Sequence, residues 1–203
     1  MQTEQLGLGH AVLSASESLH RGEPFVLMLG DHLYRSRQPE GVSCVQQVLS
    51  AFQGTSIMSL KRTPQAQVSL FGCATGTWET REKGGTPTRL SITALVEKPT
   101  LQEARSKLGM PGLAADEFLT AFGIYLVAEP LSLFATLQAQ LDQHGKALHN
   151  ERIELTPALD ELRREHSLVG LLLEGERYDI GGEPQTFLRT LNALAPANWD
   201  GTQ

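Results

Sequence analysis

The stretch Pro24-Phe25-Val26-Leu27-Met28-Leu29-Gly30-Asp31 decides the fold class. Its five consecutive apolar residues are too few for a buried helix and too continuous for a strand with one wet face. They predict a β-strand buried on both faces, the kind found inside helix-covered sheets. Gly30-Asp31 ends it abruptly. Upstream, His10–His20 predicts a helix entered from Gly7 and Gly9, with Val12, Leu13 and Leu19 on one side and Gly22 and Pro24 as breakers. Downstream, Cys44–Phe52 reads as a helix with Val45, Val48, Leu49 and Phe52 inward. Thr55–Leu60 follows as a second short strand, closed by Lys61-Arg62-Thr63-Pro64.

Beyond Leu70 the texture changes. Phe71–Trp78 and Leu90–Val96 are β-like runs flanking the polar linker Glu79–Thr88, which carries Gly84-Gly85 and Pro87, a hairpin pattern. Thr100–Leu108 reads as a surface helix, Phe118–Val127 as a strand and Leu131–Leu141 as a helix. Thr156-Pro157 marks a helix start, with Thr as N-cap and Pro at the first helical position. Val169–Leu173 is a final strand, and Gln185–Leu194 a closing helix. Alternating helices and apolar strands with a hairpin inserted midway predict an α/β fold. The expected sheet is mixed, mainly parallel and Rossmann-like, with helices on both faces. Residues 1–195 form one domain and 196–203 a frayed tail.

Composition narrows the function. The 203 residues hold 17 Lys and Arg against 23 Asp and Glu, a formal net charge of −6 without a block of like charges. No basic patch suits nucleic acid or an anionic membrane. A phosphorylated ligand would need local help from a few lysines, backbone amides or a cation. Cys44 and Cys73 stand alone without metal-ligand spacing, and read as reduced thiols. No apolar stretch approaches the length that spans a bilayer, and no signal peptide is visible at the N-terminus. A cytoplasmic protein is expected.

In open α/β sheets ligands bind beyond the carboxyl ends of the strands. Asp31 follows the most hydrophobic strand, and Asp179 follows the last one, within Arg177-Tyr178-Asp179-Ile180-Gly181. Two carboxylates brought to one sheet edge could share a Mg²⁺, which takes one or two protein carboxylates plus substrate phosphates. Turn and cap roles are the more common use of aspartate. Glu97-Lys98-Pro99 leaves another strand. The glutamate suits sugar hydroxyls and the lysine a phosphate, while a solvated charge pair is the simpler alternative. Gly7-x-Gly9 before a helix allows close backbone approach, as a plain turn also would. His10 and His32 read as packing or loop histidines, because no nucleophile stands beside either in an activating motif. Phe71 and Tyr178 read as core or pocket wall.

Seven segments occur in one order along the chain. They are Gly7-Leu8-Gly9-His10-Ala11, Pro24–Asp31, Phe71-Gly72, Val96-Glu97-Lys98-Pro99, Phe122-Gly123-Ile124-Tyr125, Glu154-Leu155-Thr156 and Tyr178-Asp179-Ile180-Gly181. The ordered set, from Leu6 to about Leu194, resembles the bacterial UTP–glucose-1-phosphate uridylyltransferases of the sugar-1-phosphate nucleotidyltransferase family. The resemblance implies that Gly7 sits against uracil and that Asp31 and Asp179 hold Mg²⁺. It places Gly72 and Glu97 on glucose, Lys98 on its phosphate and Tyr125 in the sugar pocket. The implied reaction joins UTP and glucose 1-phosphate into UDP-glucose and pyrophosphate. It proceeds in line, with no protein nucleophile, and Asp31, Lys98 and Asp179 are the groups expected to carry it.

Two departures from the family pattern stand out. Family members open with a glycine-rich strand–loop that wraps the triphosphate, whereas Met1 here falls just before Gly7-Leu8-Gly9-His10-Ala11. The expectation is an N-terminally truncated domain that binds nucleotide and sugar-phosphate small molecules and turns over poorly alone. Without a partner for its outer edge, Phe25–Leu29 would also invite a second copy of the chain. The other departure is Gly181-Gly182-Glu183-Pro184, where a single glycine and a bulkier residue are more usual.

Overall fold

The computed structural model describes residues 4–20, 22–38, 41–79, 88–144, 152–181 and 184–194. The linker glycines Gly84 and Gly85, the pair Gly182-Glu183 and the tail from 195 lie outside them. The chain begins with α1 (Leu8–Ser14) and a 3₁₀ turn (Ser16–Ser18), then β1 (Phe25–Met28), β2 (His32–Ser36) and α2 (Cys44–Ser50). β3 (Ile57–Pro64) and a 3₁₀ segment (Gln65–Leu70) precede the hairpin of β4 (Cys73–Trp78) and β5 (Arg89–Val96). There follow α3 (Leu101–Lys107), β6 (Glu117–Val127), α4 (Pro130–Gln143), α5 (Leu155–His166), β7 (Val169–Leu172), β8 (Gly175–Asp179) and α6 (Pro184–Leu194).

Six strands form one sheet in the order β1-β6-β3-β7-β5-β4, with β4 bending to pair β6 as well. Among the described residues β3 and β7 are the one parallel pair; the remaining ladders are antiparallel. The sheet is therefore mixed, but the mainly parallel arrangement expected from the sequence is not what these strands adopt. The reason lies in β6. This eleven-residue strand, buried over nearly its whole length, runs antiparallel to β1, β3 and β4 at once. Apolar runs reveal that strands are covered on both faces, not which way their neighbours point.

Helices do cover both faces. Alternation along β6 sends Leu119, Ala121, Tyr125 and Val127 into a core shared with α1, α4 and α5, and Phe122, Ile124 and Leu126 into one shared with α2. α2 starts at a capping box, in which Ser43 Oγ accepts from the Gln46 amide and Gln46 accepts from the Ser43 amide. β1 touches both cores, Val26 on one side and Phe25 and Leu27 on the other, with Phe25 stacked on Phe134 at 5.7 Å. It is half-buried rather than buried, because it lies at the sheet's end with no strand beyond it among the described residues. The hairpin forms as expected; at its bulge a Cβ on Gly76 would lie 2.1 Å from the Ser91 carbonyl oxygen, so only glycine fits.

A second sheet was not expected. β2 pairs antiparallel with β8, setting His32 opposite Asp179 and Tyr34 opposite Arg177. This ribbon brings residues distant in sequence to one end of the main sheet.

Candidate active site

The carboxyl end of β1, the exit of β5, the start of α5 and the β2–β8 ribbon enclose a cleft of about 310 Å³. Asp31 stands in the turn between β1 and β2, and its carbonyl oxygen accepts from the Ile180 amide at 2.8 Å, which binds the turn to the end of β8. Asp179 closes β8. The two carboxylates flank His32, whose Nε2 lies 4.0 Å from Asp31 Oδ1 and 3.9 Å from Asp179 Oδ2. One ligand atom from each of the three residues lies within 4.8 Å of the others. The acids face solvent, with Asp31 59% and Asp179 37% exposed at the side chain, whereas His32 is only 7% exposed.

Gly123 makes room for this histidine. It adopts φ +100°, and a Cβ there would meet His32 Nδ1 at 2.6 Å and Tyr34 Oη at 2.7 Å. Tyr34 donates to the Gly123 carbonyl at 2.8 Å and stacks on Phe122. Burial lowers the His32 pKa from 6.5, with Arg177 acting in the same direction; Asp31, Asp179 and the Phe122 backbone oppose the shift. The balance favours the uncharged ring. Its Nδ1 is buried with no hydrogen-bond partner, near the Phe122 backbone but outside bonding geometry.

The other half of the cleft is built around Glu97. Thr156 Oγ1 donates to Glu97 Oε2 at 2.5 Å, and Lys98 Nζ lies 3.8 Å from Glu97 Oε1. Lys98 has φ +44°, the left-handed region, which turns the chain sharply at the strand exit before Pro99. A Cβ on Gly72 would meet Thr156 Oγ1 at 2.7 Å and Glu97 Oε2 at 3.0 Å, so that position is held to glycine by the pair beside it. Tyr125, buried on β6, forms the floor; burial first and Glu97 second raise its pKa, so the phenol stays protonated. Arg177 reaches in from β8, donates to the Ala121 carbonyl and lies over the Phe71 ring with its guanidinium carbon 3.7 Å from the centroid. Arg152 and Glu154 complete the rim.

The structure thus brings together Asp31, Gly72, Glu97, Lys98, Tyr125 and Asp179. Gly7 does not line the cleft. It caps α1 with φ +122°, where a Cβ would lie 2.5 Å from the Ile153 carbonyl oxygen; its neighbour Leu8 faces the cavity instead. Thr156 is not an N-cap. Glu154 holds that place, and Thr156, already helical, spends its hydroxyl on Glu97. His32 is neither a loop nor a packing histidine but a strand residue aimed at two carboxylates. Arg177 and Arg152 had no sequence signal beyond their charge, although Arg177 lies in the segment that yielded Asp179.

Residues 1–187 match the nucleotidyl transferase family. The chain belongs to that family. It is 32% identical over 182 residues to the UTP–glucose-1-phosphate uridylyltransferase YngB of Bacillus subtilis, covering 89% of this chain and 52% of the relative. To the UTP–glucose-1-phosphate uridylyltransferase of Streptococcus pneumoniae it is 31% identical, covering 89% and 53%. Among solved structures, a UDP-glucose pyrophosphorylase complexed with UDP-glucose matches with TM-score 0.70 and 25% identity, over 95% of this chain and 63% of that one. An apo UDP-glucose pyrophosphorylase matches with TM-score 0.71 and 26% identity, over 95% and 61%. The chain spans about half the length of the curated relatives it matches. No helix among the described residues is long and apolar enough to cross a membrane.

Proposed function

We propose that this chain carries the sugar-nucleotide site of a UTP–glucose-1-phosphate uridylyltransferase, which joins UTP and glucose 1-phosphate into UDP-glucose and pyrophosphate. The convergence of Asp31 and Asp179 on one end of the cleft, with Glu97 and Lys98 across from them, carries this reading. An attacking phosphate oxygen needs no protein nucleophile, and the cleft presents acids, cations and a buried phenol rather than an activated serine or cysteine. Glu97, fixed by Thr156, would accept from glucose hydroxyls, with Tyr125 beneath the ring and Gly72 permitting close approach. Lys98 would hold the sugar phosphate.

The carboxylates of Asp31 and Asp179 suit a Mg²⁺, and both are open to a substrate's phosphates. When bound, that ion would neutralise phosphate charge at the reacting phosphorus. The protein residues orient the two substrates. Gly7 would reach uracil only through its backbone, behind Leu8.

A sugar-nucleotide-binding role without turnover is the second reading. Arg177 is engaged by Phe71 and Ala121, which leaves Lys98 and Arg152 as the other cleft cations among the described residues. The edge of β1, which no strand covers among the described residues and where Met28 is 45% exposed, would let a second copy pair there, which sedimentation velocity would detect.

One experiment separates the two readings: thermal shift with UDP-glucose and Mg²⁺, followed by an assay of pyrophosphate release from UTP and glucose 1-phosphate. Ligand at 100 times its dissociation constant adds about 2.7 kcal/mol, a rise of roughly 5–10 °C for a domain of this size. Binding with turnover supports the transferase, and binding alone supports the second reading. Neither binding nor turnover would remove both.

A further inference from the structure

We propose that His32 is a third ligand of the divalent-cation site formed by Asp31 and Asp179, giving a mixed nitrogen–oxygen centre that prefers a first-row transition ion to Mg²⁺. The inference rests on the reading above that the two aspartates hold a cation.

The three residues are preassembled. Asp31 and His32 are consecutive, and the β2–β8 register places His32 directly opposite Asp179. The Asp31 carbonyl oxygen accepts from the Ile180 amide and thereby ties the two strands together at that end of the ribbon. Nε2 points between the carboxylates, 3.9 and 4.0 Å from their nearest oxygens, too far for a hydrogen bond to either. Nδ1 is sealed against Gly123 with no partner. Nδ1 is buried without an ordinary hydrogen bond, while Nε2 faces the cleft and bonds neither carboxylate, which leaves it open to a ligand between the two acids. A cation between Nε2 and the two carboxylates would occupy that position and offset the repulsion between the acids. Gly123 serves the same end, because any side chain there would displace the ring from this position.

The ligand set decides the ion. Mg²⁺ favours oxygen donors and retains its waters, whereas imidazole suits the later first-row divalent ions. An Asp–His–Asp set would take Mn²⁺, the most oxygen-loving ion of that series and the least favourable one for the proposal, through all three side chains and Mg²⁺ chiefly through two.

Titration of the chain with Mn²⁺, followed by electron paramagnetic resonance, tests the assignment. Pulsed spectra of the bound ion should show coupling to an imidazole nitrogen. His32→Asn should abolish that coupling and weaken Mn²⁺ about tenfold or more, while Mg²⁺, measured by competition, weakens far less. Bound Mn²⁺ that depends on Asp179 but shows no nitrogen coupling would overturn the role of His32 and leave the two-aspartate reading standing. Mn²⁺ that fails to bind, or binds equally well to Asp179→Asn, would overturn both. The wild-type spectrum alone decides the ligand, so the result does not depend on the variant folding.

Discussion

Thr156 and Glu97, 59 residues apart, share a 2.5 Å hydrogen bond that ties the first turn of α5 to the exit of β5. The bond orients the carboxylate and fills the space in front of Gly72, so three segments depend on one hydroxyl. Thr156→Val keeps the shape and leaves Glu97 without its donor, a loss of about 1–3 kcal/mol. UDP-glucose binding should weaken about tenfold or more by calorimetry, and Thr156→Ser should restore most of it. Unchanged affinity in the valine variant would separate Glu97 from the sugar.

Gly123→Ala is expected to act on the opposite half of the cleft. The residue must keep φ +100° and place a methyl where His32 and Tyr34 now lie, costing about 1–3 kcal/mol in backbone strain alone. Calorimetric melting should show lower stability, and divalent-ion binding should weaken with it. A variant of full stability that binds ions normally would show that the ribbon can shift without consequence.

Lys98→Ala and Asp179→Ala should fail differently. With Lys98 in its proposed place on the sugar phosphate, its loss should raise the concentration of glucose 1-phosphate needed while UTP dependence stays near that of the parent. Asp179→Ala should remove the metal dependence of UDP-glucose binding without unfolding the ribbon. Steady-state kinetics of an active form and metal-dependent thermal shifts would measure the two effects. Identical behaviour of the two variants would argue against separate roles.

Alkaline pH should destabilise the fold through two buried acids. Burial, aided by Glu97, pushes the Cys73 thiol from 9.0 up to about 12, and burial pushes Tyr34 from 10.0 up to about 12. Both pKa values are higher folded than unfolded, so their contribution is complete below about pH 9 and drains away as pH rises toward 12. Melting temperature should fall across that window, and Cys73→Ala should flatten the fall in part. Native Cys73 should also resist thiol reagents at pH 8, since its sulfur is enclosed and directed at the Val68 and Phe71 carbonyls.

Part of this site could be read in the sequence. Asp31, Lys98 and Asp179 stand out because glycine or proline stands close to a strand end, although spacing alone left turn, cap and solvated-pair roles open, and Asp179 also accepts from the Gly181 amide as a turn aspartate does. β2 gave no such sign: His-Leu-Tyr-Arg-Ser alternates too weakly to be told from a loop. With that strand unseen, His32 had no face and Arg177 no neighbour. Thr156 misled for a different reason. A threonine before proline is a good cap by local chemistry, and only Glu97, distant in the chain, draws its hydroxyl elsewhere. Strand direction was equally hidden, since β6 is apolar enough to sit beside neighbours of either sense.

The order β3-β7-β5 has a consequence for how the molecule is made. β3 and β5 are finished by Val96, yet the strand between them is not synthesised until residue 169. A nascent chain must hold that slot open, or let it close wrongly, while more than seventy further residues emerge. At synthesis rates of about 5–20 residues per second that is a wait of several seconds. Gly170, with the Leu60 and Leu90 side chains 2.6 and 2.7 Å from where a Cβ would stand, is then the narrow key of the last insertion. A bulkier residue there would leave the cleft residues intact and still trap the protein before it is complete.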